Sequence, residues 1–308
     1  MYKLAGIVGP TAVGKTNISI QVAERMNAEI ISCDSMQIYK DMNIGTAKAT
    51  PAEQSMIPHH LIDIVSPAED FSVAQYQKSA KTLIADLNAQ GKIPLLVGGT
   101  GLYYQALVDD YTFFPLASRQ IVRDRWNSVI EEKGLPFVYN YLAGIDPVYA
   151  AKISSNDQKR MVRALEVYEL TGEAFSVQQN KAENTYNLAV VGLYLERAAL
   201  YQRIEIRVEE MLRKGLIEEV QMLREQGFDL SLNAMQALGY KQVYNYLEGF
   251  MGKEQMLEEI KRETRRYAKR QYTWFNKDKR IHWVNVQKYS NDEELVQKIS
   301  VYIGRTII

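Results

Sequence analysis

Short apolar runs alternate with stretches of helical spacing over the N-terminal third of the chain. Residues 4–8 (LAGIV) form an uninterrupted apolar run closed by glycine, which predicts a strand buried on both faces. After a glycine-rich loop, Ile18, Val22 and Met26 recur every four residues, so a helix is expected from about Lys15. Residues 28–33 (AEIISC) read as a second strand ending at Asp34. Between residues 71 and 90, Val73, Tyr76, Ala80, Leu83, Ile84 and Leu87 keep to one helical face, and Gly91 marks the stop. Residues 93–97 (IPLLV) give a third strand, closed by Gly98 and Gly99. This alternation predicts an α/β fold, a parallel sheet flanked by helices and joined by right-handed crossovers.

The pattern changes from residue 115 to 185, where apolar positions follow helical spacing only, as in Met161, Leu165 and Tyr168, with breaks at KGLP, GIDP and LTG. We read an all-helical domain inserted into the sheet domain, giving a core of residues 1–114, an insertion of 115–185 and a return to the core over 186–308. Residues 188–195 (LAVVGLYL) re-enter the sheet, and long helices are expected around 200–213, 216–225 and 254–276. A chain of 308 residues also exceeds what one hydrophobic core usually fills.

Composition narrows the class without choosing a function. With 46% apolar and 24% charged residues the chain is an ordinary globular protein. Its 37 basic and 37 acidic residues cancel, which speaks against a wholesale polyanion binder but leaves room for a local basic face. Such a face is offered by Lys261, Arg262, Arg265, Arg266, Lys269, Arg270, Lys277, Lys279 and Arg280, opposed within the run only by Glu263 and Asp278. Ile260, Thr264, Tyr267, Gln271 and Trp274 occupy the other side of that helix. The run is either a solvated helix face or a nucleic-acid contact. Cys33 stands alone, so no internal disulfide and no cysteine-built zinc site can form. No apolar run approaches the roughly 18 residues of a membrane span, and the first residues are needed as a strand, so a cytoplasmic protein is expected. His59, His60 and His282 lack ligand spacing, and PHH reads as loop.

The chemistry begins at GPTAVGKT: Gly9, Pro10, Thr11, Ala12, Val13, Gly14, Lys15 and Thr16 satisfy G-x-x-x-x-G-K-[ST], the P-loop pattern. The glycines let backbone N–H groups turn around an anion, and the following helix adds its positive end. Lys15 supplies a charge for the outer phosphate, and the Thr16 hydroxyl can ligate Mg²⁺. The acidic motif that usually accompanies nucleotide hydrolysis is missing: the third strand ends in GGTG, and Asp63 is isolated. Asp34, at the ligand-binding end of the second strand, is the acid placed to act as general base, as metal partner or as a helix cap.

Together with that loop, DSMQIY from Asp34, GTAK from Gly45 and GGTGLY from Gly98 closely resemble the bacterial tRNA dimethylallyltransferases. The likeness continues through NDQKRMVRALEVYELTG, RIEIRVEEML, ALGYKQ and AKRQYTWF, nearly the whole chain in the family's order, without the zinc finger of eukaryotic members. The resemblance implies transfer of a dimethylallyl group from dimethylallyl diphosphate to N6 of adenosine 37 in tRNA, with Mg²⁺ and release of pyrophosphate. The loop then holds a diphosphate, with Arg203 as a further cation unless it is a surface ion pair. Asp34 takes the amino proton, and Thr100 lies beside the reacting centre unless it is a buried cap. Asp34, Ser35, Met36 and Gln37 read the base. Arg123, Asp157, Gln158, Lys159, Arg160, Met161, Gly239, Tyr240 and Lys241 meet the anticodon stem-loop, though Tyr240 can equally be core. Arg265 and Arg266 meet phosphates, and a monomer is expected. The rivals are an ATP-dependent small-molecule kinase, a nucleotide-gated RNA-binding switch, and prenyl transfer to free adenine nucleotides, which the insertion and the basic helix oppose.

Overall fold

The computed structural model describes residues 1–113, 119–178 and 185–307. Six strands, β1 (Tyr2–Val8), β2 (Ala28–Cys33), β3 (His59–His60), β4 (Ile93–Gly98), β5 (Tyr186–Tyr194) and β6 (Ile281–Asn285), form one sheet in the order β3-β2-β4-β1-β5-β6. Every pairing is parallel. All six residues of β2 are buried, as parallel strands covered on both faces require. One face packs under the helices Lys15–Met26, Arg197–Arg213 and Asp292–Ile307 through Ile18, Val22, Ile204, Val208 and Ile303. The other packs under Val73–Ala89 and Gly101–Val108 through Tyr76, Ile84, Tyr104 and Leu107.

Two edge strands depart from the sequence expectation. PHH is not loop: His59 and His60 pair with Ile30 and Ile31, and the His60 ring bonds the Glu29 carboxylate at 2.6 Å. A strand of two residues has no period to read. At the opposite edge, Ile281–Asn285 pairs with Val190–Tyr194 and only Ile281 and Val284 are buried, so its apolar signal is weak. The two neighbours of β1 lie on opposite sides of it, β4 on one and β5 on the other, so the chain reverses its direction of travel across the sheet there. This switch point opens a crevice at the carboxyl ends of the strands.

The chain divides into two compact units, Met1–Val108 with Asn184–Ile308, and Asp109–Glu183. The expected boundary after residue 114 lies outside the described residues. In the second unit the helices Arg119–Lys133, Leu135–Ile145 and Gln158–Thr171 surround Trp126, Val138, Leu142, Met161 and Leu165. Asp157 caps the last of these, accepting from Arg160 N at 3.2 Å, and Gly172 ends it in the left-handed conformation. Buried Asp146 accepts from Tyr149 N, Ser176 N and Ser176 Oγ at 2.9, 2.8 and 2.6 Å, tying the start of one short helix to another. Among the described residues no helix is long and apolar enough to cross a membrane.

Candidate active site

The phosphate-type loop leaves β1 at Val8 and enters the helix at Lys15. Gly9 has φ +146°, and a Cβ there would lie 2.5 Å from the Leu193 carbonyl oxygen on β5, so any side chain would lift the loop off the sheet. The Lys15 ammonium turns back to donate to the Gly9 and Pro10 carbonyls at 2.9 and 2.8 Å. Gln271, from the helix Lys253–Phe275, bridges two loops: its Oε1 accepts from Thr11 N at 2.8 Å and its amide donates to Gly99 O at 3.0 Å.

Burial first, and then the Arg207 guanidinium, push the Lys15 ammonium down to about 7, against the pull of Asp34. Below that pH Lys15 is charged in the free protein, and above it the proton leaves. A bound diphosphate favours the charged form, so binding above pH 7 takes up a proton and weakens as pH rises. Calorimetry of pyrophosphate binding at pH 8 in buffers of different ionisation enthalpy should register uptake approaching about one proton. Lys15→Met should abolish it. Equal heats in all buffers would remove Lys15 as the titrating group.

Asp34 directly follows β2. One carboxylate oxygen accepts from Met36 N at 2.9 Å, and the other makes no hydrogen bond among the described residues. Thr100 ties the ends of β2 and β4 together: its N–H donates to Cys33 O at 3.0 Å, and its hydroxyl accepts from Ser35 N at 3.0 Å. Thr100 thus holds the turn carrying Asp34. The Gln37 amide is engaged within the protein, its Oε1 accepting from Ser32 Oγ at 3.0 Å and its Nε2 donating to Thr46 O at 3.2 Å.

Arg203 meets the loop at its backbone, donating to Val13 O at 3.2 Å. Arg207, one helical turn further, reaches inside, where it lines the cavity with Lys15, Thr16 and Asp34. Sequence reading named the first arginine and missed the second. The i, i+4 spacing of Arg203 and Arg207 was the available signal, since it puts both on one face. The cavity over the loop has a volume of about 330 Å³, with Ile30, Val97, Ala47 and Ala49 as its apolar wall. A second, more open cleft of about 560 Å³ is lined by Ser35, Met36, Lys241, Arg262 and Arg270. The two share Thr11, Asp34, Thr46, Arg207 and Tyr267. An anion on the loop and a second molecule in the cleft would meet at the Asp34 carboxylate.

The Thr16 hydroxyl makes no hydrogen bond among the described residues, and no trio of His, Cys, Asp or Glu gathers into a metal cage there. An oxygen donor beside a phosphate loop fits Mg²⁺, which binds through few protein oxygens plus substrate phosphates.

Burial bears on two of the expected tRNA contacts. Tyr240 is fully buried and its hydroxyl donates to Glu219 at 2.6 Å. The Glu219 carboxylate also accepts from the N–H groups of Asn43, Ile44 and Gly45, so Tyr240 braces the loop after β2. Met161 is fully buried in the core of the second unit. Their neighbours remain accessible: Lys241 lines the cleft, while Lys159, Gln158 and Arg123 border an open hollow of about 900 Å³ in the second unit. Arg123 donates there to buried Glu166 at 3.2 Å.

The basic helix is less unopposed than its own sequence suggests. Helix Arg197–Arg213 brings Glu205 to 2.9 Å from Arg265 and Glu209 to 2.8 Å from Lys261. Arg266 pairs with Glu263 at 2.6 Å but keeps 62% of its side chain exposed, against 26% for Arg265. Arg266→Ala should therefore lower the slope of log affinity for RNA against log salt by about one, and Arg265→Ala by less. Filter binding across a salt series measures both, and an unchanged slope for Arg266→Ala would make this face merely solvated.

Comparison with known proteins matches residues 37–278 to the family model for IPP transferase. A tRNA dimethylallyltransferase of Syntrophomonas wolfei is 68% identical over 303 residues, covering 98% of each chain. One from Carboxydothermus hydrogenoformans is 49% identical over 98% of this chain and 97% of its own. Among solved structures, the full-length tRNA isopentenylpyrophosphate transferase of Bacillus halodurans superposes with a TM-score of 0.76 at 40% identity, covering 100% of this chain and 97% of that one. A eukaryotic dimethylallyltransferase acting on tRNA reaches a TM-score of 0.83 at 29% identity, over 100% of this chain and 81% of that one.

Proposed function

The chain belongs to the IPP transferase family, and from that premise we propose that it transfers a dimethylallyl group from dimethylallyl diphosphate to N6 of adenosine 37 in tRNA, releasing pyrophosphate. The observation that carries the reading is the wall shared by the loop cavity and the open cleft, with Asp34 in it. A phosphate-binding enzyme with one small substrate needs only the first of these spaces.

The residues supply what the reaction needs. Loop amides, Lys15 and Arg207 receive the charge that builds on the pyrophosphate as the allylic C–O bond breaks. Thr16 would hold Mg²⁺, which would supply further positive charge to the leaving pyrophosphate. Ile30, Val97, Ala47 and Ala49 offer the hydrocarbon an apolar wall. Adenosine 37 leaves its stack to enter from the cleft. Its amino nitrogen bonds to the allylic carbon as the free oxygen of Asp34 takes the proton. Lys241, Arg262, Arg266 and Arg270 in the first unit, and Arg123 and Lys159 in the second, are the cations offered to the anticodon stem-loop. The protein is proposed to act as a monomer, in the cytoplasm.

The test is incubation with dimethylallyl diphosphate, Mg²⁺ and unmodified tRNA, followed by mass analysis of the digested nucleosides. A prenylated adenosine at position 37 is the expected product. Its absence, with ATP bound in place of the allylic diphosphate, would return the protein to the kinases.

A further inference from the structure

A base drawn out of the anticodon loop loses its stacking partners, and an aromatic side chain inside the protein is the usual replacement. Of the described residues lining the loop cavity and the cleft, Tyr267 alone contributes a benzene ring; the other aromatic, His59, lines only the loop cavity. We propose that Tyr267 is the platform on which the extruded purine of the tRNA substrate stacks. The inference rests on the function proposed above and adds to it a residue that reads the flat face of the base.

Position supports it. Tyr267 is one of five residues in the wall shared by the two cavities, and the other four, Thr11, Asp34, Thr46 and Arg207, are polar or charged. Its helix is pinned to the body by buried Thr264, Ala268 and Gln271, which fixes the place of the ring. The Tyr267 hydroxyl interacts with the side chain of Thr100, the residue that ties down the Asp34 turn. The Arg270 guanidinium lies 5.7 Å from the ring centroid and brings a cation beside the nucleotide's own phosphate. A purine stacked here sits beside the carboxylate that receives its amino proton.

The test compares Tyr267→Phe and Tyr267→Leu, using unmodified tRNA and, in parallel, a tRNA carrying the fluorescent base 2-aminopurine at position 37. Loss of the ring should lower kcat/KM for tRNA by about 10- to 100-fold in the leucine variant, the worth of one base–aromatic stack. The KM for dimethylallyl diphosphate should stay at its wild-type value in both variants. The phenylalanine variant should turn over near the wild-type rate. The 2-aminopurine should be quenched in complexes of the wild type and Tyr267→Phe, and bright with Tyr267→Leu. Retained kcat/KM in the leucine variant overturns the platform. So does a phenylalanine variant as impaired as the leucine one, which would assign the role to the hydroxyl. A parallel rise in the diphosphate KM would show that Tyr267 only shapes the pocket, and also overturns it. A wild-type protein that prenylates no tRNA sinks the proposed function itself.

Discussion

Replacing Asp34 by alanine is expected to slow single-turnover prenyl transfer by about 10²–10⁴-fold while both substrates still bind. The exocyclic nitrogen of adenine is a weak nucleophile that becomes strongly acidic as the new C–N bond forms, so removing its proton belongs to the same step. One Asp34 oxygen is committed to Met36 N, and the other makes no hydrogen bond among the described residues. The first contact holds the turn and the second oxygen is the one that can accept. Asp34→Asn should keep the turn, because its amide oxygen still accepts from Met36 N, yet lose the base. The asparagine variant should thus bind tRNA like the wild type and be slowed as much as alanine. Rapid-quench measurement at saturating substrates decides the matter. Transfer at the wild-type rate in the asparagine variant would take Asp34 out of proton transfer and leave it a structural cap.

The second large effect is expected from the cations inside the loop. Arg207→Ala and Lys15→Ala should each lower kcat by about 10²–10³-fold, because charge accumulates on the leaving pyrophosphate mainly in the transition state. Arg203→Ala should cost far less, since its guanidinium already spends a hydrogen bond on the Val13 carbonyl. The informative comparison is between kcat and KM for the allylic diphosphate. A fall in kcat with little change in KM marks contacts that strengthen as the bond breaks, whereas a rise in KM alone would mean that Arg207 and Lys15 only hold the ground state.

The contrast between the two arginines also shows what could be read from sequence and what could not. Doubly buried strands leave apolar runs with hard glycine ends, so β1, β2, β4 and β5 were visible from hydrophobicity alone, and the phosphate loop was visible from its spacing. The two-residue β3 and the half-exposed β6 had too little apolar signal to register. Which of Arg203 and Arg207 enters the cavity depends on how helix Arg197–Arg213 is rotated against the sheet, and sequence gives a face but no azimuth. Burial misled in the other direction at Met161 and Tyr240. Both lie in stretches that resemble tRNA-contacting motifs, but such a stretch also includes the residues that anchor it. The acids facing the basic helix, Glu205 and Glu209, come from a different helix and so are invisible to a count along the run.

The bridge made by Gln271 bears on how the protein is born. The amide of Thr11 waits for a partner 260 positions later, and the amides of Asn43, Ile44 and Gly45 wait for Glu219, as many as 176 positions away. A ribosome releasing this chain exposes the phosphate loop long before the residue that fastens it. Until then β6 is missing as well, and the edge of β5 stays open to other chains. The nascent N-terminal segment should therefore depend on chaperones or on rapid translation, and truncation just before Gln271 should give a product that aggregates instead of a weakened enzyme.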